Sequence, residues 1–169
     1  MRRGATWVSL GLIAVALVPA SARSRVSGDL VPGDHRVVPS ISGTDPITGR
    51  RVSLARWAGR PVVINVWGSW CHPCNLEAPE FARFSRKHPG VVLGLDVEDS
   101  KPGARAFYRK YGLSYPSIFD PRSMLFVKRL GGRGVPTTLF LDRRHRVVAN
   151  VLGTSTFSQL EKGLRQASK

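Results

Sequence analysis

Two cysteines, Cys71 and Cys74, are the only ones in the chain, and two residues separate them. Thiols at that spacing can close a disulfide, exchange electrons with another dithiol, or share a metal ion. A disulfide closing so short a loop constrains little of the unfolded chain, so stapling is a poor use for it. A zinc site normally needs four ligands. Beyond His72, only His35, His88 and His145 could help, and none stands in ligand spacing. Redox exchange is the chemistry that remains, with a structural disulfide or a metal site as alternatives.

Exchange needs one thiolate held ready and a second thiol in reach. A free cysteine supplies little thiolate at neutral pH, but unpaired N–H groups at a helix N-terminus stabilise the anion. The apolar run Pro61–Val66 precedes the pair and reads as a buried strand; Asn75–Lys87 follows and reads as a helix. Cys71 therefore falls at the helix mouth, left outside as the nucleophile. Cys74, Ala78 and Phe81 stand at i, i+4 and i+7 and share the buried face, which makes Cys74 the resolving thiol. His72, if protonated, favours the thiolate. Pro73 restricts the backbone, and Trp70 shapes the surface that partners meet. Glu77 and Glu80 suit the positive end of the helix dipole, and Pro79 should kink the helix.

The remaining elements alternate strand and helix. Residues 23–36 read as a linker and 37–54 as a β-hairpin turning at Asp45–Gly49, followed by a helical turn from Leu54 to Trp57. Val91–Val97 reads as a second buried strand, parallel to the first. Pro102–Tyr111 reads as a helix, Tyr115–Phe119 as a short extended piece and Met124–Leu130 as a short helix. Thr137–Leu141 and Val147–Leu152 read as a strand pair, and Phe157–Gln166 as a terminal helix. The expected class is α/β, a central mixed sheet flanked by helices, with one domain over 37–169.

The first residues read as an export signal: Arg2 and Arg3, an apolar stretch from Trp7 to Val18, then small residues at Ala20 and Ala22. Cleavage after Ala22 is the expected processing; the alternative is an uncleaved anchor over 1–22. Either places the folded part outside the cytoplasm, periplasmic or extracellular. Lys and Arg number 26 against 11 Asp and Glu, a formal net charge of +15 over 169 residues. The arginines are scattered and not interleaved with aromatics, so nucleic acid is not an expected partner. Weak attraction to anionic surfaces is.

The run Val63–Cys74 with Glu77-Ala78-Pro79 resembles the TlpA/ResA-like branch of the thioredoxin superfamily, from about Val37 to the end. Gly134-Val135-Pro136-Thr137-Thr138 resembles that family's cis-proline loop. The resemblance implies a thioredoxin-like fold, an insertion around the second helix (about Asp99 to Phe119), a redox-active Cys71–Cys74 disulfide and a cis Val135–Pro136 bond. It also implies that Val135 and Pro136 bind an extended substrate, as an added strand would. Thioredoxins proper carry a buried aspartate where this chain has Asn65. The expected substitute is an acid after the next strand, Glu98 or Asp99, with Asp99 the better match as proton acceptor for Cys74. The implied activity is exported thiol–disulfide exchange with protein dithiols and a membrane redox partner, as in cytochrome c maturation. Disulfide formation in secreted chains is the alternative. A peroxidase or metallochaperone of this fold fits less well, because a peroxidase's cysteine pattern and added methionines are both missing. The expected unit is a monomer without a cofactor or metal.

Overall fold

Two six-residue runs, Val62–Trp67 and Val92–Val97, are buried at every position, as strands covered on both faces must be. In the computed structural model, which describes residues 27–132 and 134–169, they pair in parallel as β4 and β5 at the centre of a sheet. The expected signal or anchor at 1–22 lies outside the described residues.

Four further strands complete that sheet. They are β1 (Leu30–Pro32), β6 (Ser117–Asp120), β7 (Thr137–Leu141) and β8 (Val147–Leu152), in the order β1-β8-β7-β4-β5-β6. β6 runs parallel to β5; β7, β8 and β1 are each antiparallel to their inner neighbour. β2 (Ser42–Thr44) and β3 (Arg51–Ser53) form a separate hairpin, followed by a single 3-10 turn at Leu54–Trp57. The helices are α1 (His72–Lys87), α2 (Lys101–Tyr111), α3 (Met124–Leu130) and α4 (Phe157–Ala167). This is the mixed, helix-flanked sheet that the sequence predicts.

Because side chains alternate along a strand, each central strand serves two cores. Val63, Trp67 and Val92 pack with Phe81, Phe84, Phe107 and Leu160 of the long helices. Ile64, Val66, Leu93 and Leu95 pack with Ile41, Val52, Leu54, Phe126 and Leu130. The hairpin is tied to the edge of the sheet through Asp45, whose Oδ2 accepts from the Ser117 amide at 3.2 Å.

Three expectations change. The linker at 23–36 is not free over its latter part: Leu30–Pro32 pairs with Ala149–Val151. Pro32 made that segment look unlike a strand, but proline is tolerated at an outermost strand. The first arm of the hairpin begins at Ser42, while Val37 makes an isolated bridge to Arg146. The extended piece before Asp120 is a full member of the sheet, so α2 is the crossover of a second parallel β-α-β unit. Pro79 lies within α1 without ending it.

Candidate active site

The C-terminal end of β4 delivers the chain into a tight turn, Gly68-Ser69-Trp70, and then into α1. A side chain at Gly68 would put Cβ 2.6 Å from Trp70 Nε1, so glycine leaves the space in which the Trp70 indole folds back over the turn. Cys71 is the N-cap of α1, with extended backbone, and His72 and Pro73 are the first helical residues. Proline suits this place because its missing N–H would be unpaired anyway. The Cys71 carbonyl accepts from the Asn75 amide, and its Sγ accepts from the Cys74 amide at 3.2 Å.

Cys71 and Cys74 form a disulfide with Cα atoms 5.2 Å apart. Cys74 is 1% exposed, as its place on the inner face requires. Cys71 is 3% exposed. The expectation of an outward Cys71 is therefore corrected for the oxidised protein, in which its sulfur is bonded to that of a buried partner. His72 and Pro73 are exposed beside it. Among the described residues no three His, Cys, Asp or Glu are placed to hold a metal ion.

The buried acid of this region is Glu77, one turn beyond Cys74 on the same helix face and 2% exposed. Its Oε1 accepts from Asn65 Nδ2 at 2.9 Å and its Oε2 from the Ser155 amide at 2.8 Å. Tyr115 Oη donates to Asn65 Oδ1 at 3.0 Å, fixing the amide so that its N–H faces the glutamate. Burial pushes the Glu77 carboxyl up to about 8, against the opposing pull of the Ser155 and Asn65 hydrogen bonds. Asn65 thus holds no proton itself but presents a neighbour that does. Glu77 was legible in part: with Cys74, Ala78 and Phe81 it completes an i, i+3, i+4, i+7 stripe.

Asp99 has different work. Its carboxylate accepts from the Ser69 amide (2.6 Å), Ser69 Oγ (2.8 Å) and the Ser100 amide (2.6 Å), fastening the turn before Trp70. Glu98 accepts from Ser123 Oγ at 2.8 Å. Asn75 fastens the same turn from the other side. Its Nδ2 donates to the carbonyls of Ser69 (3.2 Å) and Cys71 (2.9 Å), while its Oδ1 accepts from Tyr111 Oη of α2 (2.8 Å). The insertion helix thereby holds the redox turn, a link with no sequence signal.

Next to the motif, Val135–Pro136 is cis, as the resemblance implies. Trp70 is 54% exposed, with Nε1 donating to the Val97 carbonyl. A groove runs beside it, lined by Trp70, Glu98, Ser123, Phe126, Val127 and Val135. Trp70 and Val135 thus share one accessible surface next to the disulfide. An oxidisable pair at a helix N-terminus, a buried acid on the inner side and an apolar groove on the outer side together suit exchange with another protein's sulfurs.

Comparison with known proteins agrees. The Redoxin family model matches residues 32–164. Thiol-disulfide oxidoreductase ResA of Bacillus thuringiensis (strain Al Hakam) is 30% identical over 131 residues, covering 76% of this chain and 75% of that protein. ResA of Bacillus subtilis (strain 168) is 33% identical over 116 residues, 66% of this chain and 64% of its own. Among solved structures, a DsbF homologue from Corynebacterium diphtheriae superposes with a TM-score of 0.73 at 34% identity, covering 80% of this chain and 91% of that one. A secreted thiol-disulfide isomerase from Corynebacterium glutamicum gives 0.73 at 30% identity, covering 83% and 92%. The chain belongs to the redoxin family, within the thioredoxin fold, as a thiol–disulfide oxidoreductase of the ResA type.

Proposed function

We propose that this protein works outside the cytoplasm, exchanging electrons between a membrane redox partner and the cysteines of exported proteins, cytochrome c maturation among its settings. The observation that carries the reading is the Cys71–Cys74 disulfide at the mouth of α1, with the Cys74 N–H already directed at Cys71 Sγ. Once the pair is reduced, that N–H and the helix dipole stabilise a Cys71 thiolate.

The thiolate attacks one sulfur of a substrate disulfide, and the other leaves as a thiolate that takes a proton from water. Cys74 then gives up its proton to the carboxylate that Glu77 is left with after the preceding reduction, and attacks Cys71 Sγ. The Cys71–Cys74 bond forms, and the substrate's second thiolate is expelled. A donor dithiol reverses these steps: its thiolate attacks Cys71 and Cys74 departs as a buried thiolate. Glu77, kept protonated by burial, supplies the proton that neutralises it. The proton-handling role expected of Asp99 passes to Glu77 in this reading. Trp70, Val135 and Pro136 seat an extended substrate, and His72 and Pro73 tune the couple. The protein acts as a monomer without metal or cofactor, and its positive charge adds weak attraction to anionic surfaces. The apolar stretch before residue 23 directs export.

Catalysed reduction of insulin by a thiol donor tests the exchange. Cys71→Ala falls to background, whereas Cys74→Ala accumulates a mixed disulfide. Activity that survives Cys71→Ala overturns the reading. Disulfide formation in secreted chains is the second reading, favoured by the likeness to a secreted isomerase and by His72 beside Cys71. The Cys71–Cys74 potential separates the two: about −270 mV marks an electron donor, and about −120 mV an oxidant.

A further inference from the structure

Three residues of α2 stand at i, i+4 and i+8, Gly103, Phe107 and Tyr111, and so share one side of that helix. Each meets the loop that carries the disulfide at a different point. Gly103 lies against its first half: a Cβ there would stand 2.6 Å from Ser69 Oγ. Phe107 is buried and stacks on Trp67, the last residue of β4, with ring centroids 4.7 Å apart. Tyr111 Oη donates to Asn75 Oδ1 at 2.8 Å, and its ring lies edge-on to Phe107 at 5.0 Å. Lys110 adds a longer contact to the same oxygen, at 3.4 Å. The helix thus holds the loop before the turn, within it and after it.

Asn75 passes that hold to the sulfur. With Oδ1 turned to Tyr111, its Nδ2 must face the other way, where it donates to the Ser69 and Cys71 carbonyls at 3.2 and 2.9 Å. Those carbonyls stand where the chain becomes helix, and their placement decides whether the Cys74 N–H points at Cys71 Sγ. The disulfide makes this alignment redundant while it lasts, because it ties Cys71 to Cys74 covalently. After reduction the tie is gone, and the N–H groups meet the thiolate only if the turn keeps its shape. Loss of the hold therefore costs the reduced form more than the oxidised one.

Resting on Cys71 as the attacking thiol, we propose that Tyr111 is a positioning residue which, through Asn75, keeps the Cys71 thiolate at the mouth of α1 and so sets the potential of the couple. The insertion helix is then a control element of the redox site as well as a cover for its core. Removing the Tyr111 hydroxyl frees the Asn75 amide to turn, and the reduced form loses stability selectively. Electrons then leave the Cys71–Cys74 dithiol more readily, which lowers the potential.

The test compares the full-length protein with three variants in glutathione buffers. Asn75→Ala shifts the equilibrium toward the Cys71–Cys74 disulfide by about tenfold, or about 30 mV, the size of one hydrogen bond's net contribution. Tyr111→Phe keeps the ring packing and the Lys110 contact, and shifts it about threefold in the same direction. The double variant goes no further than Asn75→Ala, because the hydroxyl acts through that amide. Urea unfolding of both redox forms gives the matching result: each variant destabilises the reduced protein more than the oxidised, by the same factor. A merely structural role costs both forms equally and leaves the potential unmoved. That outcome overturns the proposal, as does a raised potential or a sum of the two shifts in the double variant. Insulin reduction by the unaltered protein, lost in Cys71→Ala, reads the exchange separately, so an active enzyme with unmoved potentials sinks the role of Tyr111 alone.

Discussion

The two faces of the central sheet are built on different terms. On one, β4 and β5 contribute Val62, Ile64, Val66, Leu93, Leu95 and Val97, all apolar. On the other, the same strands contribute Val63, Trp67 and Val92, but also Asn65 and Asp96, and the helix packed there brings Cys74 and Glu77. One face holds the sheet together by excluding water. The other adds groups that hold protons and sulfur to its apolar packing, and burial of such groups is costly without specific partners. Asn65, Glu77, Tyr115 and Ser155 show how: each buried donor meets an acceptor.

That contrast can be broken from either side. The largest effect is expected at the sulfur itself: Cys71→Ala removes insulin reduction down to background while the fold persists. On the apolar face, Ile64→Ala costs about 2–5 kcal/mol in urea unfolding, and the folded fraction still reduces insulin. On the polar face, Glu77→Gln acts through pH. The folded protein keeps the Glu77 proton up to about 8, whereas an unshifted carboxyl sheds it near 4.5. Between those values the unfolded chain binds fewer protons, so stability is full below 4.5 and declines through about 8 as pH rises. The variant starts lower, because an amide nitrogen must face one of two N–H donors, but declines less steeply. Asp96 leaves it a residual slope of the same sign. Unfolding of the oxidised protein at several pH values checks this.

Smaller effects sharpen the picture. Tyr115→Phe removes the donor to Asn65 and costs about 1–2 kcal/mol in the same unfolding experiment. His72→Ala lowers the Cys71–Cys74 potential by about 30 mV or less, read in glutathione buffers. A rise, or no change, leaves His72 without a tuning role.

The apolar face was almost fully legible in the sequence, because uninterrupted β-branched runs have few other uses. The cysteine pair and the cis-proline loop were legible from spacing and resemblance. The polar face was not. Glu77 was read as a partner for the helix dipole, since an acid in a first turn usually faces solvent. Its burial depends on Asn65 and Ser155, which arrive from distant parts of the chain. Asp96 falls inside the Val91–Val97 run read as a buried strand, and its full burial without a partner has no sequence signal. Asp99 was expected to serve Cys74, but its oxygens go to Ser69 and Ser100, contacts set by how β5 leaves the sheet. β1 escaped because three residues ending in proline carry no periodicity.

Asn75 has a practical consequence. Its side chain fastens the turn before Cys71 to Tyr111, near the far end of α2. Anyone transplanting the W-C-H-P-C segment into a smaller thioredoxin scaffold would leave behind the strut that keeps it in shape. The portable unit is the motif together with the helix that braces it.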